Sequence, residues 1–184
     1  MEKKILLDRP ETKEQIARVS KSKRVPVLVH NERTVWDSLA ICEYIAEMFR
    51  DAKLWPGDTH ARAVARSASA EMHAGFADLR NEMPMNICGS FPEKKASAAV
   101  AEQIARIFDL WKQCRDVFGS EGEFLFGRFS IADAMYAPVV TRFRTYGVTP
   151  ATDVAAAYMD AVMTLPAMQK WVDGAKKEVA EKKE

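Results

Sequence analysis

The feature that most constrains this chain is a change of pattern along its length. Up to about residue 50 the apolar residues come in short runs, and beyond Pro56-Gly57 they recur at helical spacing. Ile5-Leu6-Leu7, Val25-Pro26-Val27-Leu28-Val29 and Thr34-Val35-Trp36 each have the length and composition of a strand. The turn His30-Asn31-Glu32-Arg33 is short enough to make the last two a hairpin. Between the first two, residues 12–20 set Ile16, Ala17 and Val19 among Lys, Glu, Gln and Arg, which suits a helix. After Ser38 the residues Leu39, Ile41, Cys42, Ile45, Met48 and Phe49 predict another helix. Lys53-Leu54-Trp55-Pro56-Gly57-Asp58 reads as a linker, because Pro-Gly breaks regular structure. The alanine-rich remainder predicts helices over 59–83, ended or kinked by Pro84, and over 92–118, with Pro92 at a first helical position. A loop over 119–127 follows, then helices from near Ser130, over 151–164 and over 166–179, with a charged, fraying tail from Lys176. The expected fold class is α+β: a small sheet-and-helix unit over 1–50, a linker over 51–58 and an all-helical unit over 59–184.

Composition excludes several classes. With 184 residues, 48% hydrophobic and 29% charged, the chain can bury roughly 70% of its unfolded surface and needs neither disulfide nor metal to fold. Lysine plus arginine (27) nearly balances aspartate plus glutamate (26), so no general pull toward nucleic acid or membrane follows. Cys42, Cys88 and Cys114 are odd in number and widely spaced, which fits neither a disulfide framework nor zinc and points to a reducing cytoplasm. His30, His60 and His73 lack ligand spacing, so no metal site is expected. No apolar run approaches the roughly 20 residues of a membrane span, and Met1-Glu2-Lys3-Lys4 opens no signal-peptide pattern.

Four features carry chemistry or imitate it. Pro26 at the head of a strand cannot donate to a ladder. A cis Val25-Pro26 bond would turn the Val25 N–H and C=O outward, where they could pair with an extended peptide; an ordinary trans proline on an edge strand is the alternative. Asp37-Ser38 stands where strand gives way to helix. Either residue is a good N-cap, and the same helix end suits a carboxylate ligand. Phe129-Ser130-Ile131-Ala132-Asp133 resembles a capping box with a hydrophobic staple, so Asp133 is expected to serve folding and not chemistry. Met72, Phe76, Met83 and Met85 suit either an apolar acceptor pocket or core and dimer packing. Cys42 lies on an apolar helix face as a core thiol, and Cys88 sits near a helix end in a more exposed place.

The run Val25 to Val29, followed by Val35-Trp36-Asp37-Ser38-Leu39-Ala40-Ile41-Cys42-Glu43-Tyr44-Ile45-Ala46-Glu47, resembles the glutathione-binding half of bacterial cytosolic glutathione S-transferases. Leu54-Trp55-Pro56-Gly57-Asp58 is similar to that family's interdomain link, and Glu71 to Phe76 with Leu79 to Asn86 resembles the first long helix of a bacterial subgroup. The resemblance implies a thioredoxin-like first domain and an all-helical second domain. It implies that Val25 pairs by its backbone with the cysteinyl part of glutathione, that Pro26 is cis, and that Asp37 and Ser38 hold the γ-glutamyl end. It also implies a cytoplasmic homodimer acting on glutathione and a small electrophile, with no metal, nucleic acid or membrane partner.

The family's catalytic Tyr, Ser or Cys follows its first strand. Here Ile5-Leu6-Leu7-Asp8-Arg9-Pro10-Glu11-Thr12 resembles the second strand and the loop after it, so the first strand and helix, roughly 25–30 residues, have no counterpart. No catalytic residue is carried over. Ser20-Lys21-Ser22-Lys23 also departs from the subgroup's turn. The expectation is a truncated thioredoxin-like unit in which the 5–8 strand slides inward to pair directly with the 25–29 strand, with conjugating activity reduced or lost. The alternative is a non-catalytic binding or dimerisation protein of the same fold.

Overall fold

The computed structural model describes residues 1–7 and 9–181. Asp8 and the last three residues of the charged tail lie outside the described residues. The chain divides into two compact units, one over Met1–Lys53 and one from Leu54 onward.

The first unit contains helix α1 (Thr12–Val19), strands β1 (Val27–His30) and β2 (Arg33–Trp36), helix α2 (Ser38–Met48) and a 3-10 turn over Arg50–Ala52. The strands form an antiparallel hairpin in the register Val27↔Trp36, Leu28↔Val35, Val29↔Thr34, His30↔Arg33. Its two-residue loop is entered through Asn31 at φ +55°, a left-handed conformation that Asn tolerates better than most residues. The sheet has these two strands only, among the described residues.

Of the strand expected over 5–8, residues 5–7 form no strand and do not pair with β1, and Asp8 lies outside the described residues. A local competitor takes their backbone. The Thr12 hydroxyl donates to the Leu6 carbonyl at 2.7 Å and accepts from the Arg9 N–H at 3.0 Å. These bonds fold the segment back onto the head of α1, as short polar side chains often do near helix starts.

The second unit contains α3 (Thr59–Ala74), α4 (Ala77–Glu82), α5 (Ala98–Phe118), α6 (Ile131–Thr145), α7 (Asp153–Thr164) and α8 (Pro166–Glu181). The single helix expected over 59–83 is broken at Gly75-Phe76. A Cβ on Gly75 would lie 2.7 Å from the Glu71 carbonyl oxygen, and Phe76 turns to φ +55° and buries its ring. The next helix starts at Ala98 and not at Pro92. Ser97 caps it by accepting from Val100 N–H, while its own N–H and hydroxyl donate to the Glu82 carboxylate at 3.2 and 2.6 Å.

The core of this unit centres on Trp111, which is 1% exposed. Its ring meets Phe108, Tyr136 and Phe143 at 5.7 Å and Tyr158 at 4.8 Å between centroids. Edge-on and tilted packing of this kind suits the aromatic quadrupole. Beside it Asp133 is completely buried. One carboxylate oxygen accepts from Leu125 N–H at 3.0 Å; the other accepts from the Ser130 N–H at 2.8 Å and the Ser130 hydroxyl at 3.0 Å. Burial raises its pKa, against the pull of those hydrogen bonds.

Asp133→Ala would leave three buried donors without an acceptor. We expect it to cost about 3–5 kcal/mol and to lower the melting temperature by on the order of 10 °C. Thermal and urea denaturation check this; an unchanged midpoint would refute the structural role of Asp133.

Candidate functional site

The hairpin register decides what lies together in the first unit. Val27 is paired with Trp36, so the chain enters β1 and leaves β2 at the same end of the sheet. Val25-Pro26 leads into β1 and Asp37-Ser38 follows β2 at that same end. The four predicted glutathione residues are therefore gathered at one end of the hairpin by the strand pairing itself.

The Val25-Pro26 peptide bond is cis. Val25 and Pro26 are both exposed, and Val25 keeps 47% of its surface open. Asp37 is the N-cap of α2 at φ +75° and ψ +130°, a conformation that costs a non-glycine residue on the order of 1–3 kcal/mol. Local bonds hold it there. Its Oδ1 accepts from Leu39 N–H at 3.0 Å and Ala40 N–H at 3.3 Å. That leaves Ser38, the first helical residue, half-buried and with no hydrogen bond from its N–H or hydroxyl among the described residues. A free amide and hydroxyl at a helix N-terminus form a receptor for an anionic group, where backbone donors and the helix dipole act together.

One contact here was not foreseen from sequence. His30 Nδ1 and the Tyr44 hydroxyl are hydrogen-bonded at 2.8 Å, and their rings meet edge-on at 6.0 Å. The pair ties the end of β1 to the middle of α2. Residues 14 apart on two different elements carry no periodic signal, so only the hairpin geometry reveals them.

Beside β1 runs a groove of about 500 Å³, lined by Met1, Glu2, Lys3 and Ile5 on one side and by Val19 and Val25 to Val29 on the other. It lies where direct pairing between the N-terminal segment and β1 was expected.

The remaining candidates lie in the second unit. Met72, Phe76 and Met83 are core side chains with 2–7% exposure, and Met85 reaches the surface. Two pockets of that unit are lined by other residues: one of about 350 Å³ at Thr141, Arg144 and Gln169, the other of about 260 Å³ at His60, Glu71 and Arg106.

The thiols separate by environment. Cys88 is exposed. Cys42 is half-buried, and burial, then the charges of Glu43 and Asp37, push its thiol up. Cys114 is buried, and burial first, then Asp133, pushes it up to about 12. Neither shifted thiol is disposed to form a thiolate. Among the described residues no group of three or more His, Cys, Asp or Glu is placed to hold a metal ion, and no helix is long and apolar enough to cross a membrane.

Two family models match the chain: the glutathione S-transferase N-terminal domain over residues 2–47 and the glutathione S-transferase C-terminal domain over residues 97–174. Together they cover about two thirds of it. It is a glutathione S-transferase-like chain. Glutathione S-transferase L2, chloroplastic, of Arabidopsis thaliana is 28% identical over 127 residues, which are 69% of this chain and 39% of that protein. The chain spans about half or less of the length of the first curated relatives it matches, which are plant proteins. Among solved structures, glutathione S-transferase 1-6 from Anopheles dirus species B superposes with a TM-score of 0.74 at 18% identity, covering 97% of this chain and 84% of that one. A glutathione transferase homologue from Burkholderia, solved with bound glutathione, superposes with a TM-score of 0.66 at 24% identity, covering 90% and 80%. These likenesses place both units in the glutathione S-transferase fold: the hairpin with its helices is the thioredoxin-like part, and the helices after Leu54 are the C-terminal domain.

An aromatic disulfide reagent at pH 8 should label Cys88 alone in the native chain, because burial shields Cys42 and Cys114 and disfavours their thiolates. Denaturant should release two further thiols. Equal rates for all three in the folded chain would contradict the assignment.

Proposed function

We propose that this chain binds glutathione at the cis-proline end of the hairpin. The backbone of Val25 pairs with the cysteinyl part as a short added strand, Pro26 shapes that edge, and Asp37 and Ser38 receive the γ-glutamyl end. The observation that supports this most directly is Ser38: its N–H and hydroxyl open a helix N-terminus, and the Val27↔Trp36 register brings them to the same end as Val25. A backbone edge beside an anion-receiving helix end matches a small peptide with carboxylate groups.

The reaction this fold supports is conjugation of the glutathione sulfur to a small electrophile, within a homodimer. Conjugation needs a group that favours the thiolate over the thiol. In the first unit the Ser38 hydroxyl is assigned to the γ-glutamyl end, and other hydroxyl and thiol groups are engaged or shifted. Tyr44 is bonded to His30, Ser20 to Ser22, and Cys42 is raised by burial. We therefore infer that this 184-residue chain conjugates weakly or not at all while still binding glutathione. Of the four residues considered for an acceptor pocket, Met85 is the one open to an incoming electrophile. A bacterial origin rests on the likeness of residues 71–86 to a bacterial subgroup.

The alternative is a non-catalytic binding protein of the same fold, and two measurements on one sample separate them. Calorimetry should detect glutathione, and Ser38→Ala should weaken it at least tenfold by removing a hydrogen bond to a charged group. A conjugation assay with an aryl halide should show turnover little above the uncatalysed rate. Absence of glutathione binding would defeat the site, and robust turnover would defeat the loss of catalysis.

A further inference from the structure

A second cavity with convergent chemistry lies within the helical unit, and none of its residues belongs to the proposed glutathione site. It measures about 350 Å³ and opens where the end of α6 meets the segment before α5 and the junction of α7 with α8. That volume is at the small end of the range for ligand pockets, roughly 300–1,000 Å³. α6 brings Thr141, Arg144 and Thr145 to it, residues spaced to share one helix face. The two threonines are buried and form its floor. Ile87, Met163 and Val172 are half-buried and apolar, and Arg144 and Gln169 are exposed at its mouth.

The polar groups of this cavity are already oriented. The Thr141 hydroxyl donates to the Pro138 carbonyl at 2.9 Å, and the Thr145 hydroxyl donates to the Asn86 carbonyl at 2.8 Å. A hydroxyl that has given its proton keeps only lone pairs to offer, so the floor accepts hydrogen bonds. The mouth does the opposite. Arg142 spends its guanidinium on the Met83 and Pro138 carbonyls, each at 3.0 Å. The Arg144 guanidinium makes no hydrogen bond or ion pair among the described residues. The sequence holds no Asp or Glu over residues 134–152 or 83–92, so no local acid competes for it. An arginine in a last helical turn suits the helix dipole. That role, however, needs neither a cavity nor apolar walls.

One unpaired cation calls for a monoanion, and a floor that only accepts calls for a neutral donor. A phosphate ester brings a second charge and no such donor. We propose that this cavity binds a small hydroxyaryl carboxylate. Its carboxylate pairs with the Arg144 guanidinium, its ring packs against Ile87, Met163 and Val172, and its hydroxyl donates to the Thr141 and Thr145 oxygens. Residues three apart on a helix have Cβ atoms about 5–6 Å apart, and the arginine stem reaches outward from there, so the two polar ends stand about one aromatic ring apart. The site does not depend on the glutathione reading.

Isothermal titration calorimetry of the full chain with 4-hydroxyphenylacetate tests this. One site should saturate with a dissociation constant of about 0.1 mM. Phenylacetate, which lacks the hydroxyl, and 4-hydroxyphenylacetamide, which lacks the charge, should each bind at least about fivefold more weakly. Arg144→Gln should weaken the acid at least about tenfold and leave the affinity of the amide unchanged, a selectivity that a loss of fold would not produce. Val172→Phe should abolish binding by filling the cavity; if that variant fails to fold, the exposed Arg144→Gln still decides. Saturating glutathione should leave the titration unchanged. No saturation up to about 10 mM would overturn the site. Equal binding of the three compounds, or an acid affinity indifferent to Arg144→Gln, would overturn it too. Competition by glutathione would overturn it by assigning the ligand to the hairpin.

Discussion

Leu125 N–H and Ser130 N–H lie in a buried turn with no backbone carbonyl to receive them, and the Asp133 carboxylate accepts both. The larger unit depends on this satisfaction of buried donors. It fixes the loop before α6 and the start of α6 itself, and α6 carries Tyr136 and Phe143 against Trp111. An unpaired buried amide costs as much as a good core contact gains, so the aromatic cluster and the carboxylate stand together.

The same requirement divides the two units. After Leu54, capped helices and one buried carboxylate meet the backbone's demands and leave a closed aromatic core. Before it, a two-stranded sheet and α2 have no fully buried residue, and Val29, Trp36 and Phe49 stay exposed. The Ser38 donors and the Val25 edge are available to a ligand because the fold has not used them.

Much of this was legible in the sequence. The hairpin, the start of α2 at Ser38, the capping box at Ser130 and the ends of α5 and α7 follow from spacing and breakers, which act over a few residues. The cis bond at Pro26 was accessible only through likeness to a family, since the residues themselves permit either isomer. The helix break at Gly75-Phe76 and the late start at Ser97 were not legible. They depend on a Glu71 carbonyl that leaves no room for a Cβ and on a Glu82 carboxylate that binds Ser97 across 15 residues. Residues 5–7 have strand composition, yet Thr12 claims the Leu6 carbonyl.

The sequence by itself determined the hairpin, the start of α2, the capping box at Ser130 and the residue types at the proposed glutathione site, because periodicity, caps and turn residues are local properties. The tertiary structure decided which of them meet. Strand register gathers Val25, Pro26, Asp37 and Ser38 at one end of the hairpin, while packing draws Met72, Phe76 and Met83 into the core. It also decided that residues 5–7 stay out of the sheet, because hydrogen-bond partners across a sheet are set by pairing in space, which no local pattern encodes.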